Sequence, residues 1–383
     1  MKLVSNQLGP NFNIGDALYA LGCALMPTLP KTDFIPYFET ENFKLASTAR
    51  TLLGLLANVV PEGKKVGIPA VCCAVMATPF LSKGKEICWM DTDENGLLDP
   101  KEVEKYKNEL GLIIVPHVFG QQAALEEIIK NSKANNIIVV EDSAHFFQQG
   151  EPKADYRLLS FGREKDVSCV AGGALTWKKN AIGSEIIQKY SLKKPSRGWA
   201  FQHAIQPLVL AISLPWWSNG GRYIAGMFSK AKILPRAVSQ GEKSGINDFP
   251  QTKLALTQQK ILIRSLCQRS TELPHRSELA NDWKRKLSQI FPDAKIVIPE
   301  NFFRVILTGI ERETVLKTAK RAGFDLNEWD GEPIAPRGVD LEKFGYRKGQ
   351  CPHAEQFIQN YVTFPTNRRT ELADIERFPE LFT

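Results

Sequence analysis

The chain of 383 residues lacks long hydrophobic runs, C-x-x-C cysteine pairs and a secretory leader pattern. Its apolar stretches at 17–26 and 207–217 are only ten and eleven residues long, whereas a membrane-spanning helix needs about 20. The seven cysteines form no C-x-x-C motif, which favours reduced thiols in a cytosolic protein. The first thirteen residues lack the basic-then-apolar layout of a signal peptide. These absences together predict a cytoplasmic protein without a membrane span.

Nucleic-acid binding has little support in the sequence. Lysine and arginine number 49 against 42 acidic residues, a net charge of +7 that is spread along the chain. Zinc-finger spacing, an aromatic RNA-binding motif and a long basic tract are all missing. The mild positive excess suits small anionic ligands or anionic lipid better than a nucleic acid.

Short apolar runs alternate with amphipathic stretches between residues 45 and 180, which is typical of a mostly parallel α/β sheet covered on both faces. The predicted strands are 65–68, 86–90, 112–116, 137–141, 157–161 and 174–177. The predicted helices are 47–58, 70–81, 100–109 and 123–134. In such a sheet, ligands bind beyond the carboxyl ends of the strands.

The remainder of the chain departs from this alternation. Residues 190–240 are rich in tryptophan and proline, and a long helix is predicted from about 250 to 266. Strand-like 295–298, 304–308 and 361–364, with a helix at 311–322, predict a smaller α+β unit. We therefore expect a large cofactor-binding α/β domain at 1–245 and a second domain at 246–383, made of the long helix and the α+β unit.

The most informative segment is Val-Val-Glu-Asp-Ser-Ala-His at 139–145, followed by Ser160-Phe161 and Lys165. Asp142 and Lys165 each follow the end of a predicted strand, and a glycine pair comes soon afterwards at 172–173. An aspartate can hold a pyridinium nitrogen protonated, and a lysine can carry an aldehyde as a Schiff base. The order predicts a pyridoxal phosphate site.

Further matching segments make the chain resemble the DegT/StrS-type sugar aminotransferases, which have the fold type I architecture of pyridoxal phosphate enzymes. The segments extend from residue 46 to 365. They are Ala-Ser-Thr-Ala at 46–49, Ile-Pro at 68–69, His-Val-Phe-Gly-Gln at 117–121, Glu-Asp-x-Ala-His at 141–145, Ser-Phe…Lys at 160–165, Gly-Gly-Ala-Leu at 172–175, Ala-Glu at 354–355 and 362–365.

The resemblance implies roles for individual residues. Lys165 corresponds to the Schiff-base lysine and Asp142 to the partner of the pyridinium nitrogen. His145 corresponds to a residue beside the cofactor ring, although a hydrogen-bonded core histidine fits the same pattern. Ser47 and Thr48 stand where a helix start would hold the cofactor phosphate; simple capping of that helix is the alternative.

Three more positions match the family less fully. Ser160 corresponds to a serine that reaches the phosphate, and Asn247 to an asparagine supplied by the neighbouring subunit. The family commonly has arginine where this chain has Phe249. Cys73 stands where an aromatic residue often stacks on the cofactor ring, and a thiol offers less contact area.

The unusual segment around residues 199–232 has two interpretations. Its aromatic and basic residues around an apolar core fit a weak membrane-surface contact, which would place the protein at the inner face of the membrane. A dimer contact or an active-site wall fits the shortness of the apolar run better.

By resemblance, the expected protein is an aminotransferase that uses pyridoxal 5′-phosphate and its amino form. Its expected substrates are an amino-acid donor, typically L-glutamate, and a keto sugar, usually linked to a nucleotide, in the biosynthesis of surface polysaccharides or secondary metabolites. A homodimer with shared active sites is also implied. One alternative is a related sugar dehydratase, in which a histidine replaces the lysine. The other is a cofactor-binding regulatory or scaffold protein.

Overall fold

The computed structural model describes residues 2–8, 12–26, 28–234, 238–326, 329–378, 380 and 382. Pro235, within the proline-rich residues 190–240, therefore lies outside the described residues. The strands are β1 (Val4–Ser5), β2 (Phe43–Ala46), β3 (Lys65–Pro69), β4 (Cys72–Cys73), β5 (Ile87–Met90), β6 (Leu110–Pro116), β7 (Ile138–Asp142), β8 (Tyr156–Ser160), β9 (Gly173–Trp177), β10 (Lys295–Val297), β11 (Arg304–Thr308), β12 (Phe324–Asp325), β13 (Ile334–Ala335) and β14 (Tyr361–Pro365).

The helices surround and connect these strands. They are α1 (Ile14–Leu25), α2 (Ile35–Phe38), α3 (Ala49–Leu56), α4 (Thr78–Leu81), α5 (Pro100–Tyr106), α6 (Leu125–Lys133), α7 (Ser184–Lys189), α8 (Arg197–Ser213), α9 (Gly221–Lys230), α10 (Leu256–Ile290), α11 (Arg312–Arg321), α12 (Pro352–Gln359) and α13 (Leu372–Glu376). In the described part of the chain, none of the helices is both long and apolar enough to cross a bilayer.

A seven-stranded sheet in the order β2-β9-β8-β7-β6-β3-β5 forms the centre of the large domain. The strands from β8 to β5 are parallel, and β9 runs antiparallel between β8 and β2. The middle strand β6 is buried along its whole length, as expected when both faces of a parallel sheet are covered. The predicted mostly parallel α/β sheet is confirmed.

The small unit is a three-stranded antiparallel sheet in the order β10-β11-β14. Its core is separate from that of the large sheet and includes Trp283, Val305 and Phe364. The chain's first residues also reach this unit, because β1 pairs with β12 through Val4 and Phe324. The predicted domain boundary at residue 245 stays a prediction. Residues 4–5 belong to the predicted first domain but pair with a strand of the second.

Helix α10 is longer than predicted, because it begins at Leu256 and continues to Ile290 through Pro274. An internal proline removes one backbone hydrogen bond and normally ends or kinks a helix. Here the two halves are held in different cores. Ile261 and Leu262 pack beneath the large sheet, while Leu279, Trp283 and Leu287 pack in the small unit. Burial at both ends stabilises the continuous helix that links the two units.

The helix predicted at 70–81 is wrong over most of its length. Cys72 and Cys73 form strand β4, which pairs in parallel with Ile334 and Ala335. A single 3-10 turn at Ala74–Met76 follows, and only Thr78–Leu81 is α-helical. The apolar spacing resembles a helix because the whole segment is buried, but its partner strand lies more than 250 residues away in the sequence.

Candidate active site

The carboxyl edge of the central sheet brings the predicted residues together. Asp142 ends β7 and stands in register with Pro116 of β6 and Leu158 of β8. Ser160 ends β8, and Lys165 lies in the turn that follows. These positions border a cavity of about 400 Å³. A ligand-sized space at this edge is the expected location of a site in a parallel sheet.

Six of the eight predicted site residues line this cavity: Thr48, Cys73, Asp142, His145, Ser160 and Lys165. Ser47 does not, because its hydroxyl is completely buried and donates to the carbonyl oxygen of Pro250 at 2.9 Å. Asn247 is half-buried outside the cavity of its own chain. The Ser47 hydroxyl is therefore paired within the protein and does not border the cavity, and its role in cofactor binding stays a prediction.

The adjacent acids Glu141 and Asp142 have different surroundings, because successive side chains of a strand point to opposite faces. Glu141 is completely buried and binds Arg157 at 2.9 Å and His117 at 3.2 Å. Burial by itself would raise the pKa of Glu141, but His117 and Arg157 together lower it. Its charge is therefore already compensated, which indicates a structural role.

Asp142 faces the cavity and has few partners. Its Oδ1 accepts a hydrogen bond from the backbone N–H of Ala144 at 3.0 Å, and 7% of its surface is exposed. Burial raises the pKa of this carboxyl, and the Ala144 N–H and the Lys165 charge offset that effect only in part. A cationic ligand nitrogen beside Asp142 would stabilise its ionised form.

His145 connects the loop after β7 to Lys165. Its Nδ1 accepts the backbone N–H of Phe119 at 3.1 Å, and its Nε2 lies 3.0 Å from the Nζ of Lys165. Burial lowers the pKa of His145 well below its usual range, so the ring is neutral. Because Nδ1 accepts, the single ring proton lies on Nε2 and points at Lys165. The contact holds the lysine nitrogen at the edge of the cavity.

The ring of His145 is held by aromatic neighbours on the described part of the chain. The Phe119 ring stacks on it at a centroid distance of 6.1 Å, and Phe303 does so at 5.1 Å. Phe119 itself has a φ of 55°, a left-handed conformation that is uncommon for a large residue. In this conformation the backbone N–H of Phe119 points at the Nδ1 of His145 and donates to it.

The start of α3 forms another side of the cavity. Thr48 caps this helix by accepting the backbone N–H of Thr51 at 3.2 Å. The first N–H groups of a helix have no partner within it, and they attract anions. Gly173 lets β9 pass close by, since a Cβ at this position would lie 2.6 Å from the Ala49 backbone. The second glycine of the pair therefore serves close packing against the helix start.

The cavity also has lining residues that no sequence motif predicted. Among them are Arg50, Arg163, Trp199, His203, Gln206, Glu242 and Trp329. Trp199, His203 and Gln206 belong to α8, so the unusual segment does supply a wall of the cavity. Their spacing of four and three residues places them on one helix face and is a detectable signal. The sequence alone does not show that this helix face borders the cavity; the tertiary structure does.

The turn that carries Lys165 is fixed by its neighbour Asp166. The Asp166 carboxylate is buried and bonds Arg276 of α10, Arg269 at 3.1 Å and the backbone N–H of Phe147 at 2.9 Å. Burial alone would raise the pKa of Asp166, but Arg276 and Arg269 lower it overall. Asp166 therefore anchors the lysine turn to the long helix.

We expect Asp166→Asn to lower the free energy of unfolding by about 3 kcal/mol, because removing one member of a buried ion pair leaves the other charge uncompensated. A carboxyl with a lowered pKa stabilises the fold above its ordinary pKa of about 4 and loses that contribution as the pH falls further. The difference between the variant and the unmodified protein should thus be constant near neutral pH and shrink below about pH 4. Urea unfolding at several pH values measures it.

Asp282→Asn is the matched control on the same helix. Asp282 pairs with Arg285 at 2.7 Å, but the arginine side chain is 51% exposed. Surface ion pairs contribute about 0–1 kcal/mol, so this change should have little effect on unfolding. An equal loss in both variants would contradict the anchoring role of Asp166.

Comparison with known proteins finds a family match over the part of the chain that contains Asp142 and Lys165. Residues 44–204 match the model of the DegT/DnrJ/EryC1/StrS aminotransferase family. A curated relative, UDP-4-amino-4,6-dideoxy-N-acetyl-beta-L-altrosamine transaminase of Campylobacter jejuni, is 23% identical over 167 residues, which are 41% of this chain and 43% of that protein. The chain therefore matches less than half the length of this relative.

Solved structures match over almost the whole chain. The Helicobacter pylori aminotransferase PseC, involved in the biosynthesis of pseudoaminic acid, has a TM-score of 0.71 at 12% identity, with 100% of this chain and 98% of PseC covered. The Escherichia coli GDP-4-keto-6-deoxy-D-mannose-3-dehydratase with bound hydrated PLP has a TM-score of 0.66 at 15% identity, with 97% and 99% covered. At these identities the likeness establishes the fold. Residues 44–204 are thus similar to the DegT/DnrJ/EryC1/StrS aminotransferase family, and the chain has the fold type I architecture of the solved aminotransferases along its whole length.

Proposed function

We propose that the protein is a pyridoxal phosphate-dependent aminotransferase that moves an amino group from an amino acid to a keto sugar. The observation that carries the proposal is the contact between Lys165 and the neutral ring of His145 at 3.0 Å, at the sheet edge that also holds Asp142. The family match over 44–204 supports the same reaction class.

The residues that line the cavity fit this cofactor. Among the described residues, the Lys165 charge offsets the burial of Asp142 only in part, and a protonated pyridine nitrogen would supply a stronger cationic partner. The amine of Lys165 suits an aldehyde, and the start of α3 at Thr48 suits a phosphate. When bound, pyridoxal phosphate supplies an electron sink for a carbanion beside the transferred nitrogen.

The chain's own residues account for proton transfer. Lys165 takes a proton from the amino donor and returns it on the acceptor side, as a flexible amine can. His145 holds that amine in place through the 3.0 Å contact of its Nε2 with the lysine nitrogen. Asp142 keeps its charge close to the ligand nitrogen, so that the nitrogen stays protonated throughout both half-reactions.

The finer assignments belong to the same proposal. L-glutamate is the proposed donor, and a nucleotide-linked keto sugar is the proposed acceptor, in surface-polysaccharide or secondary-metabolite biosynthesis. A homodimer with shared sites is also proposed: Asn247 lies outside the cavity of its own chain, as expected if it serves the site of a second copy.

The test of the proposal uses the protein loaded with pyridoxal phosphate. Borohydride reduction and peptide mapping should place the cofactor tag on Lys165, and the visible absorbance should change when L-glutamate is added. A tag on another residue, or no tag in fully loaded protein, would overturn the proposal. Absorbance that responds to no amino donor would instead indicate a cofactor-binding regulatory or scaffold protein.

Products from a panel of nucleotide-linked keto sugars, analysed by mass spectrometry, complete the test. An aminated sugar is the expected product. A sugar that loses a hydroxyl group without gaining nitrogen would indicate the dehydratase alternative. The presence of Lys165, where the dehydratase branch has histidine, supports the aminated product.

A further inference from the structure

Helix α8 contributes four residues to the cavity lining, Gln202 and three that follow one face of the helix, and the aminotransferase reaction as outlined above makes no use of them. Trp199, His203 and Gln206 follow each other at intervals of four and three residues, and all three line the cavity. Neighbours at these spacings lie on the same side of a helix. The face is therefore a continuous strip of ring and amide surface.

Helix α8 is held firmly enough to act as a fixed wall. Ala204 on the helix is completely buried, and Gln258 of α10, also completely buried, donates a hydrogen bond to the carbonyl of Ala200 at 3.1 Å. Ser196 caps the start of the helix by accepting the backbone N–H of Trp199 at 3.1 Å. These contacts fix the orientation of the strip relative to the sheet.

Gln206 is a buried donor without an acceptor. Only 2% of its surface is exposed, and its Nε2 has no hydrogen-bond partner among the described residues. Buried polar side-chain groups are nearly always paired in folded proteins, because an unpaired one keeps the cost of losing water. A cavity-lining amide in this state indicates an acceptor atom on a ligand.

His203 offers a hydrogen-bond acceptor, whereas Gln206 offers a donor. Its Nδ1 donates to the carbonyl of Trp199 at 2.8 Å, and burial lowers the pKa of His203 to about 4, so the ring is neutral near pH 7. With the proton on Nδ1, the Nε2 atom has a lone pair and can only accept. Within the described chain no donor reaches this Nε2 atom.

A donor and an acceptor side by side select the chemistry of the ligand. A fully ionised phosphate only accepts hydrogen bonds, so it leaves His203 Nε2 unpaired. A hydroxyl group both donates and accepts, so adjacent hydroxyls satisfy His203 and Gln206 together. The Trp199 ring, 4.1 Å from the His203 ring between centroids, adds an apolar surface beside them.

From this arrangement we infer that the α8 face binds the hydroxyl-bearing ring of a carbohydrate, with His203 and Gln206 as specificity-determining residues. The inference rests on the proposed function in one respect, since it assigns the sugar end of the acceptor substrate to this wall. It also identifies the unusual segment as the source of sugar selectivity.

The test measures binding to the cofactor-loaded protein by calorimetry, so that turnover is not needed. The probes are UDP, TDP and GDP, each compared with UDP-glucose, TDP-glucose and GDP-mannose. At least one sugar conjugate should bind about tenfold or more tightly than its nucleotide, since a pair of neutral hydrogen bonds accounts for a factor of this size. Gln206→Met, which keeps the length of the side chain, should reduce this ratio to about two and leave nucleotide affinity unchanged.

Two outcomes would overturn the inference: no conjugate that binds more tightly than its nucleotide, or a sugar-dependent gain that survives Gln206→Met. Ile212→Met is the control, because Ile212 is a 50%-exposed position on the same helix and does not line the cavity; it should keep the gain. Unfolding midpoints of both variants show whether α8 remains folded, and His203→Phe provides a second variant if Gln206→Met unfolds.

The two proposals can fail separately. A sugar-dependent gain that Gln206→Met removes, in a protein whose cofactor absorbance ignores every amino donor, would support the carbohydrate wall and overturn the aminotransferase. An absorbance response to glutamate with no sugar-dependent binding would support the aminotransferase and overturn the carbohydrate wall.

Discussion

Lys165→Ala should abolish covalent capture of pyridoxal phosphate and lower the rate of amino transfer by about three orders of magnitude or more, because the same nitrogen serves as nucleophile and as general acid and base. Lys165 is half-buried at the cavity, and the 3.0 Å contact with the Nε2 of His145 holds its amine beside the space that a ligand would occupy. Cofactor absorbance after gel filtration and initial rates with glutamate measure the two effects.

Two further variants make this result specific. Lys165→Arg keeps a positive charge but lacks a nucleophilic amine, so it should fail in the same way as the alanine variant. Lys179→Ala removes an exposed lysine close to the end of β9, and it should retain full capture and activity. Substantial amino transfer by Lys165→Ala would contradict the assignment.

Asp142→Asn should lower the rate of amino transfer by about 10²- to 10³-fold, the size of effect seen when one preorganised electrostatic partner is removed from an active site. Asparagine has nearly the same shape, and its carbonyl oxygen can accept the Ala144 N–H that Asp142 accepts now. The change therefore removes mainly the negative charge that would keep a ligand nitrogen protonated. Rates of the glutamate half-reaction, followed by absorbance, measure the loss.

The stability of cofactor-free Asp142→Asn distinguishes a role of Asp142 in ligand binding from a role in holding the fold together. Burial raises the pKa of Asp142, so its ionisation opposes folding once the pH rises above the ordinary value for aspartate. We therefore expect the free energy of unfolding of Asp142→Asn at neutral pH to be equal to or higher than that of the unmodified protein. Asp155→Asn, at the opposite end of the sheet where Asp155 accepts the Val139 N–H at 2.8 Å, should leave the half-reaction unchanged. Unmodified activity in Asp142→Asn would exclude Asp142 as the partner of the ring nitrogen.

Local sequence patterns predicted six of the seven strands of the central sheet and the order of the site residues, but they missed β2 (Phe43–Ala46). A buried parallel strand is a short apolar run, so β6, β7 and β8 were predicted to within two residues. Polar residues that end such runs must meet at one edge of the sheet, which is why Asp142, Ser160 and Lys165 were expected to lie together. The cavity confirms that they do.

Local patterns could not predict the direction of the side chains at the start of α3. Ser47 and Thr48 are equally suitable phosphate ligands by residue type, yet only Thr48 lines the cavity. The carbonyl of Pro250, about 200 positions later in the chain, accepts the hydroxyl of Ser47. A competing acceptor from a distant loop cannot be anticipated from the residues around position 47.

The sequence by itself determined six strands of the sheet, the resemblance to a family and the amine and carboxylate that carry the proposed chemistry, because these depend on short-range periodicity and on a few residues in fixed order. Only the tertiary structure decided that 72–73 form a strand, that α10 continues through Pro274, and that α8 lines the cavity. Each of these depends on burial against elements far away in the chain, and burial is a property of the packed molecule rather than of any local segment.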